Sequence, residues 1–402
     1  MGLRARRLGR DDGRWLHPCQ RQDVDDDRAE RPRHHQFRHR REDRLLEPHP
    51  AAAGHAAGRE QDAGPGRIPG GRADETVRRH GRISGRGARP VPRGRGAESC
   101  HLQAKRHSAP AQINMPRDYW TQVIDIDLPE LVEFERPSGG DAALDQAAAL
   151  LSEAKFPVIL NGAGVVLGGA IPASMALAER LDAPVCVGYQ HNDAFPGSHP
   201  LFAGPLGYNG SKAAMELVAK ADVVLCLGTR LNPFSTLPGY GIDYWPKDAK
   251  IIQVDINPDR IGLTKKVSVG IVGDAKKVAE GIMARLSAGA GDAGREERRA
   301  MIALTKSQWA QQLSSMDHED DDPGTTWNER ARAAKPDWMS PRMAWRAIQS
   351  ALPKEAIISS DIGNNCAIGN AYPSFEEGRK YLAPGLFGPC GYGLPAIVGA
   401  KI

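Results

Sequence analysis

Hydrophobic and polar positions change their pattern at about residue 109. Downstream, short runs of Val, Ile and Leu at 156–160, 184–187, 223–227 and 251–255 are continuous rather than alternating. Such runs predict strands buried on both faces. Between them, apolar residues recur at helical spacing. One helix carries Leu144, Ala147, Leu151 and Ala154 on one face, with Asp141 as its expected cap, and others are predicted over 172–181, 211–220 and 274–286. Strands alternating with helices predict an α/β central domain with a doubly wound parallel sheet over residues 140–287.

Residues 110–118 read as a short strand with a proline-led exit, the tail of something before it. After the small-residue stretch 287–294, the pattern predicts a helix over 296–315 and an acidic turn over 317–322. A second unit then opens with Ser340-Pro341, a cap followed by proline at the first helical position, leading into a helix to Leu352. A strand over 356–360, the pair Tyr381-Leu382, a turn with Gly385, Gly388, Gly391 and Gly393, and a helix over 394–401 follow. The sequence ends inside that helix, so the second α/β unit reads as incomplete, with 288–339 as linker and helix and 340–402 as its start.

The first hundred residues follow no such pattern. They hold 23 Arg, no Lys and 15 acidic residues, and only 11 Leu, Ile, Val or Phe, too few for a packed core. An Arg- and Gly-rich tract invites a nucleic-acid reading. Against it, the arginines are interleaved with Asp25-Asp26-Asp27 and Glu42-Asp43, and this is the composition that a GC-rich gene gives when read out of frame. Residues 1–103 are therefore expected to be an out-of-frame or disordered segment, with no nucleic-acid partner.

The net charge of +4 hides this asymmetry, since the first hundred residues carry a surplus of eight positive charges. No apolar leader follows Met1, and the longest uncharged stretch, 156–178, is broken by Pro157 and Pro172, which argues against a membrane span and for the cytoplasm. Six dispersed cysteines without a CxxC pair suggest neither zinc nor disulfides.

Chemistry concentrates at strand ends. Asn161-Gly162-Ala163-Gly164 could admit a phosphate, yet it lacks the third glycine of the dinucleotide fingerprint and suits a tight turn. Arg230, in Gly228-Thr229-Arg230, could meet an anion or be an ordinary surface arginine. In Tyr189-Gln190-His191-Asn192-Asp193, His191 is the one imidazole among neutral hydrogen-bonding groups, a candidate for acid–base work or simply a loop histidine. Two stretches stand out further: Ser360-Asp361-Ile362-Gly363-Asn364-Asn365 after a strand, and Leu386-Phe387-Gly388-Pro389-Cys390-Gly391-Tyr392-Gly393-Leu394-Pro395 opening a helix.

Those two stretches, with Asn192-Asp193-Ala194-Phe195-Pro196, Gln253-Val254-Asp255-Ile256-Asn257-Pro258 and Val272-Gly273-Asp274-Ala275, resemble the thiamine diphosphate enzymes of the acetolactate synthase group. Over 188–200 and 232–245 the chain is most similar to the branch that acts on sulfoacetaldehyde and phosphate, and the resemblance covers about residues 104–402. It implies three α/β domains per subunit, a cofactor shared between subunits and hence a homo-oligomer, with thiamine diphosphate and Mg²⁺ as cofactors and acetyl phosphate and sulfite as products. Residues 104–139 would be the remnant of the pyrimidine-binding domain and its linker. Gly363, Asn364 and Asn365 would meet the diphosphate, Gly388 would offer a backbone carbonyl to the aminopyrimidine, and Cys390 would stand where a bulky apolar residue usually props the bent cofactor.

The family's activating glutamate has no counterpart in residues 1–103, and its magnesium motif falls beyond Ile402. No metal ligand is therefore assigned, and the chain as written is expected to be inactive alone. An acetolactate synthase-like carboligase, or a noncatalytic anion- or nucleotide-binding α/β protein, are the alternatives.

Overall fold

The computed structural model describes residues 134–318, 339–385 and 388–401, with short segments at 52–57, 84–86, 101–102, 104–105 and 111–116. All of these lie in the unit Glu42–Ile402. The expectations for residues 1–51, for most of 58–133 and for the acidic turn beyond His318 fall outside the described residues. Three short strands come first, β1 (Ala52–Ala57), β2 (Ser84–Arg86) and β3 (Ala111–Pro116), and β3 lies between the other two in a parallel sheet.

The central sheet is built from β4 (Pro157–Asn161), β5 (Val185–Val187), β6 (Phe202–Pro205), β7 (Val223–Leu227), β8 (Lys250–Asp255) and β9 (Val269–Val272). Its spatial order is β6-β5-β4-β7-β8-β9, with every neighbouring pair parallel. The chain runs outward from β4 to one edge and then crosses back to β7, so the topology reverses between β4 and β7, as in doubly wound nucleotide-binding folds. All five residues of β4 and of β7 are buried, which requires cover on both faces and explains the apolar run of β7 and of β4 up to its last residue, Asn161, whose buried carboxamide donates to Ser174 Oγ at 2.9 Å. The edge strand β9 alternates buried and exposed positions instead. The expected α/β class with a doubly wound parallel sheet is the observed one.

Helices α1 (Asp141–Glu153), α2 (Ala163–Leu167), α3 (Ile171–Leu181), α4 (Lys212–Val218) and α5 (Ala275–Met283) interleave with these strands. Helix α1 packs on α5 and β9, and α3 packs on α5. Leu151, Ile159, Leu177, Leu181, Leu217 and Leu225 are among the largest fully enclosed side chains of this core. Ser211 and Asp274 cap α4 and α5, each side chain accepting amides of the first turn. Asp141 does not cap α1 as expected: Gly140 occupies that position, and the Asp141 carboxylate instead accepts from Arg285 Nη2 at 2.7 Å. The stretch after Asn161, which suits a tight turn by its sequence, contains α2. Strands β6 and β9 escape the sequence pattern because proline or glycine interrupts each run.

Helix α6 (Arg295–His318) follows, then α7 (Pro341–Ala351), β10 (Ile358–Ser359), α8 (Asn364–Gly369), β11 (Tyr381–Leu382) and α9 (Gly393–Lys401). Ser340 caps α7 as predicted, its hydroxyl accepting from Met343 N at 3.1 Å. Strands β10 and β11 pair in parallel. Helix α8 went unpredicted. It is only six residues long and opens on Gly363 at φ 118°, a conformation that β-carbon sterics deny to other residues.

Candidate functional site

Folds with this strand order usually bind ligands in the crevice at the topological switch. Here that crevice is filled by protein. Gly162 N donates to Leu227 O at 3.0 Å and Gly164 N to Gly228 O at 2.9 Å, so amides that could cradle a phosphate are spent on the facing loop. A β-carbon added to Gly164 would stand 2.7 Å from Gly228 Cα, and one on Gly162 would stand 2.5 Å from Thr229 Cβ. The glycines serve close loop packing, not a dinucleotide. Burial raises the pKa of the Asp255 carboxyl, and the charge of half-buried Arg230 acts in the opposite direction.

The run 189–193 follows β5 on the same sheet edge and forms a seam with the C-terminal unit. Asn192 Nδ2 donates to Asn370 O at 2.9 Å and to Pro373 O at 2.8 Å. The Asp193 carboxylate accepts Lys380 N at 3.0 Å and Tyr381 N at 3.3 Å, and burial raises its pKa despite these bonds. Gly197 N donates to Phe375 O at 2.8 Å, while Ser198 Oγ donates to Glu376 at 2.6 Å. Tyr189 Oη lies 3.5 Å from Cys366 Sγ. His191 is half-buried within this run, its amide donating to Gly188 O and its carbonyl accepting from Ala194 N.

The two glycine-bearing stretches of the C-terminal unit meet each other. Asp361 receives Gly391 N through both carboxylate oxygens, at 3.0 and 2.8 Å, and Tyr392 N at 3.2 Å. These bonds, that from Gly391 foremost, hold its pKa below the ordinary carboxylate range. Gly388, at φ 52°, sits so close to Ile362 that an added β-carbon would come within 3.0 Å of it. Gly388 thereby packs against the side chain of the residue before Gly363. Gly363, Asn364 and Asn365 are exposed at the start of α8, and Cys390 is exposed on the facing turn. Helix α7 steadies this arrangement, with Trp345 Nε1 donating to Asn365 O at 2.9 Å.

Residues 144–282 match the family model described as thiamine pyrophosphate enzyme, central domain, and residues 361–402 match the C-terminal TPP binding domain of the same enzymes. The chain belongs to the thiamine pyrophosphate enzymes. Among its relatives, a protein from Roseovarius nubinhibens named sulfoacetaldehyde acetyltransferase is 85% identical over 301 residues, covering 75% of this chain and 50% of the relative. A protein of the same name from Castellaniella defragrans is 48% identical over 305 residues, covering 75% and 51%. A probable acetolactate synthase large subunit from Methanocaldococcus jannaschii is 31% identical over 313 residues, covering 73% and 48%. The chain thus spans about half the length of the curated relatives it matches.

The residues present suit the diphosphate end of this enzyme family's cofactor. The first amides of a helix have no acceptor within it, and at α8 they lie in an exposed stretch beside neutral carboxamides, a donor set for anionic oxygens. Among the described residues no group of three or more His, Cys, Asp or Glu is arranged to hold a metal, and no helix is long and apolar enough to cross a membrane. Sequence reasoning missed Asp361 as the clasp between the two stretches and Asn370 as the seam's central bond. Asp361 carried a local signal, an acidic residue directly before a glycine at a strand end, but Asn370 carried none.

Proposed function

We propose that this chain serves a thiamine diphosphate-dependent acyltransferase that converts sulfoacetaldehyde and phosphate to acetyl phosphate and sulfite. The observation that carries this reading is the 85% identity over 301 residues to the Roseovarius nubinhibens relative. The acetolactate synthase relative, at 31%, is much more distant, so a carboligase is the weaker reading.

When bound, thiamine diphosphate supplies a nucleophilic carbon and an electron sink. Gly363, Asn364 and Asn365 hold its diphosphate through neutral donors, with Mg²⁺ balancing the charge. Gly388 would present its carbonyl to the aminopyrimidine, and Cys390 would border the cofactor. His191 would be the group that moves a proton. The enzyme acts in the cytoplasm as a homo-oligomer.

The test exchanges the matching 301 residues of the Roseovarius nubinhibens enzyme for those of this chain. Sulfite release from sulfoacetaldehyde and phosphate is expected to stay within about tenfold of the parent, a barrier change of about 1.4 kcal/mol. A folded chimera that instead makes acetolactate from pyruvate, or binds no thiamine diphosphate, overturns the reading. In the same chimera His191→Gln tests the histidine: unchanged turnover across pH removes it from the reaction.

A further inference from the structure

The run that carries His191 grips α8 at both ends. At the far end, Gln190 N donates to Asn370 Oδ1 at 3.3 Å and Asn192 Nδ2 to Asn370 O at 2.9 Å, while Asn370 Nδ2 reaches Leu206 O and Tyr208 O, each at 3.3 Å. Asn370 is the C-cap of α8 and is fully buried. At the near end stands Tyr189. Its amide is fixed by Ser235 Oγ at 2.9 Å, and its ring stacks on Phe234 with centroids 6.0 Å apart. Both partners follow β7, so the phenol is anchored to the central domain.

The Tyr189 hydroxyl lies 3.5 Å from Cys366 Sγ, and the Cys366 thiol donates to Gly363 O at 3.3 Å. With the thiol hydrogen committed to that carbonyl, the phenol is the donor to sulfur. Gly363 O also accepts Ala367 N, at 3.1 Å, closing the first turn of α8. The orientation of the Gly363 peptide decides which way the next amides face, and glycine alone imposes none. Tyr189 is 8% and Cys366 1% exposed, so water cannot replace the bond if it is lost.

We infer that Tyr189 is a positioning residue of the diphosphate segment: its hydroxyl, acting through the Cys366 thiol, sets the Gly363 carbonyl and with it the donors at Asn364 and Asn365. The central domain thereby tunes a binding segment that it does not contain. The inference rests on the reading that Gly363, Asn364 and Asn365 meet the diphosphate.

The experiment compares Tyr189→Phe, Cys366→Ala, Cys366→Ser and Tyr381→Phe in the full chain. Amide hydrogen exchange reads Ala367, whose amide is bonded to Gly363 O, and calorimetry follows titration with inorganic pyrophosphate. Tyr189→Phe and Cys366→Ala are expected to speed exchange at Ala367 about fivefold, the scale of one hydrogen bond, and to weaken pyrophosphate binding to a similar extent. Cys366→Ser, which keeps a donor and an acceptor, restores both. Tyr381→Phe removes a neighbouring buried phenol and leaves both unchanged, and amides in α3 are unchanged in every variant. Equal exchange at Ala367 in Tyr189→Phe and the parent, or a rise shared by all of the protein, overturns the inference. If the parent binds no pyrophosphate while Tyr189→Phe still loosens Ala367 alone, the positioning stands and the diphosphate reading fails.

Discussion

Asp361 and Gly391 are bound to each other through both carboxylate oxygens, although 30 residues separate them. The bond joins the stretch before α8 to the turn before α9. Because these amides hold the Asp361 pKa below its ordinary range, the folded state favours the ionised form. The stabilisation is present above the unfolded pKa and is lost as pH falls through the depressed folded value. Protection of the Gly391 and Tyr392 amides, read as exchange relative to the intrinsic rate at each pH, is expected to fall on acidification in the parent. In Asp361→Ala that protection is low at every pH, and a parent whose protection shows no such pH step contradicts the clasp.

Arg298 is 1% exposed and donates to five backbone carbonyls, those of Lys155, Leu181, Asp182, Gly291 and Ala293. It ties the start of α6 to the end of α3 and to the approach to β4. Arg298→Met leaves those carbonyls without their donor, at a cost of at least about 3 kcal/mol. Calorimetry should register a fall of roughly 10 °C in Tm for a unit of this size. Arg298→Lys should fare little better, since an ammonium cannot reach carbonyls spread around a planar fork.

The expected central domain ends before Arg298, so residues 140–287 and 134–318 should behave differently when expressed. Both hold the buried strands β4 and β7 and should unfold cooperatively. The longer span should melt at the higher temperature. Equal midpoints would mean that α6 adds nothing to the domain.

Gly164 tests the filled crevice. In Gly164→Ala the new methyl meets Gly228 Cα at 2.7 Å, a backbone atom that cannot swing away. A loss of about 1 to 3 kcal/mol in denaturant unfolding is expected. Full stability would mean that the two loops stand apart and the switch point is open to a ligand.

Thiol labelling of the native chain provides a further check. Cys186, Cys226 and Cys366 are buried while Cys390 is exposed, and burial pushes the Cys186 and Cys226 thiols well above their usual pKa. Among these four, peptide mapping after brief maleimide treatment should find the label on Cys390 alone.

The order of residues already sets the class of fold and most elements of the central domain. Strands covered on both faces must be largely apolar, and β7 and all of β4 but Asn161 are; caps need side-chain oxygens, and Ser211, Asp274 and Ser340 supply them. It also singled out Gly363, Asn364, Asn365 and Gly388 by their resemblance to a family, and 189–193 by its place at a strand end. What 189–193 does depends on contacts that exist only in the folded chain. Asn192, Asp193 and Tyr189 are spent on Asn370, Lys380, Tyr381 and Cys366, partners more than 170 residues away that no local pattern announces. Arg298 was equally silent, because five backbone carbonyls leave no mark in the side chains around them. The short strands β6 and β9 and the helix α8 draw their stability from neighbours rather than from their own periodicity. They appear only once the rest of the chain is folded around them.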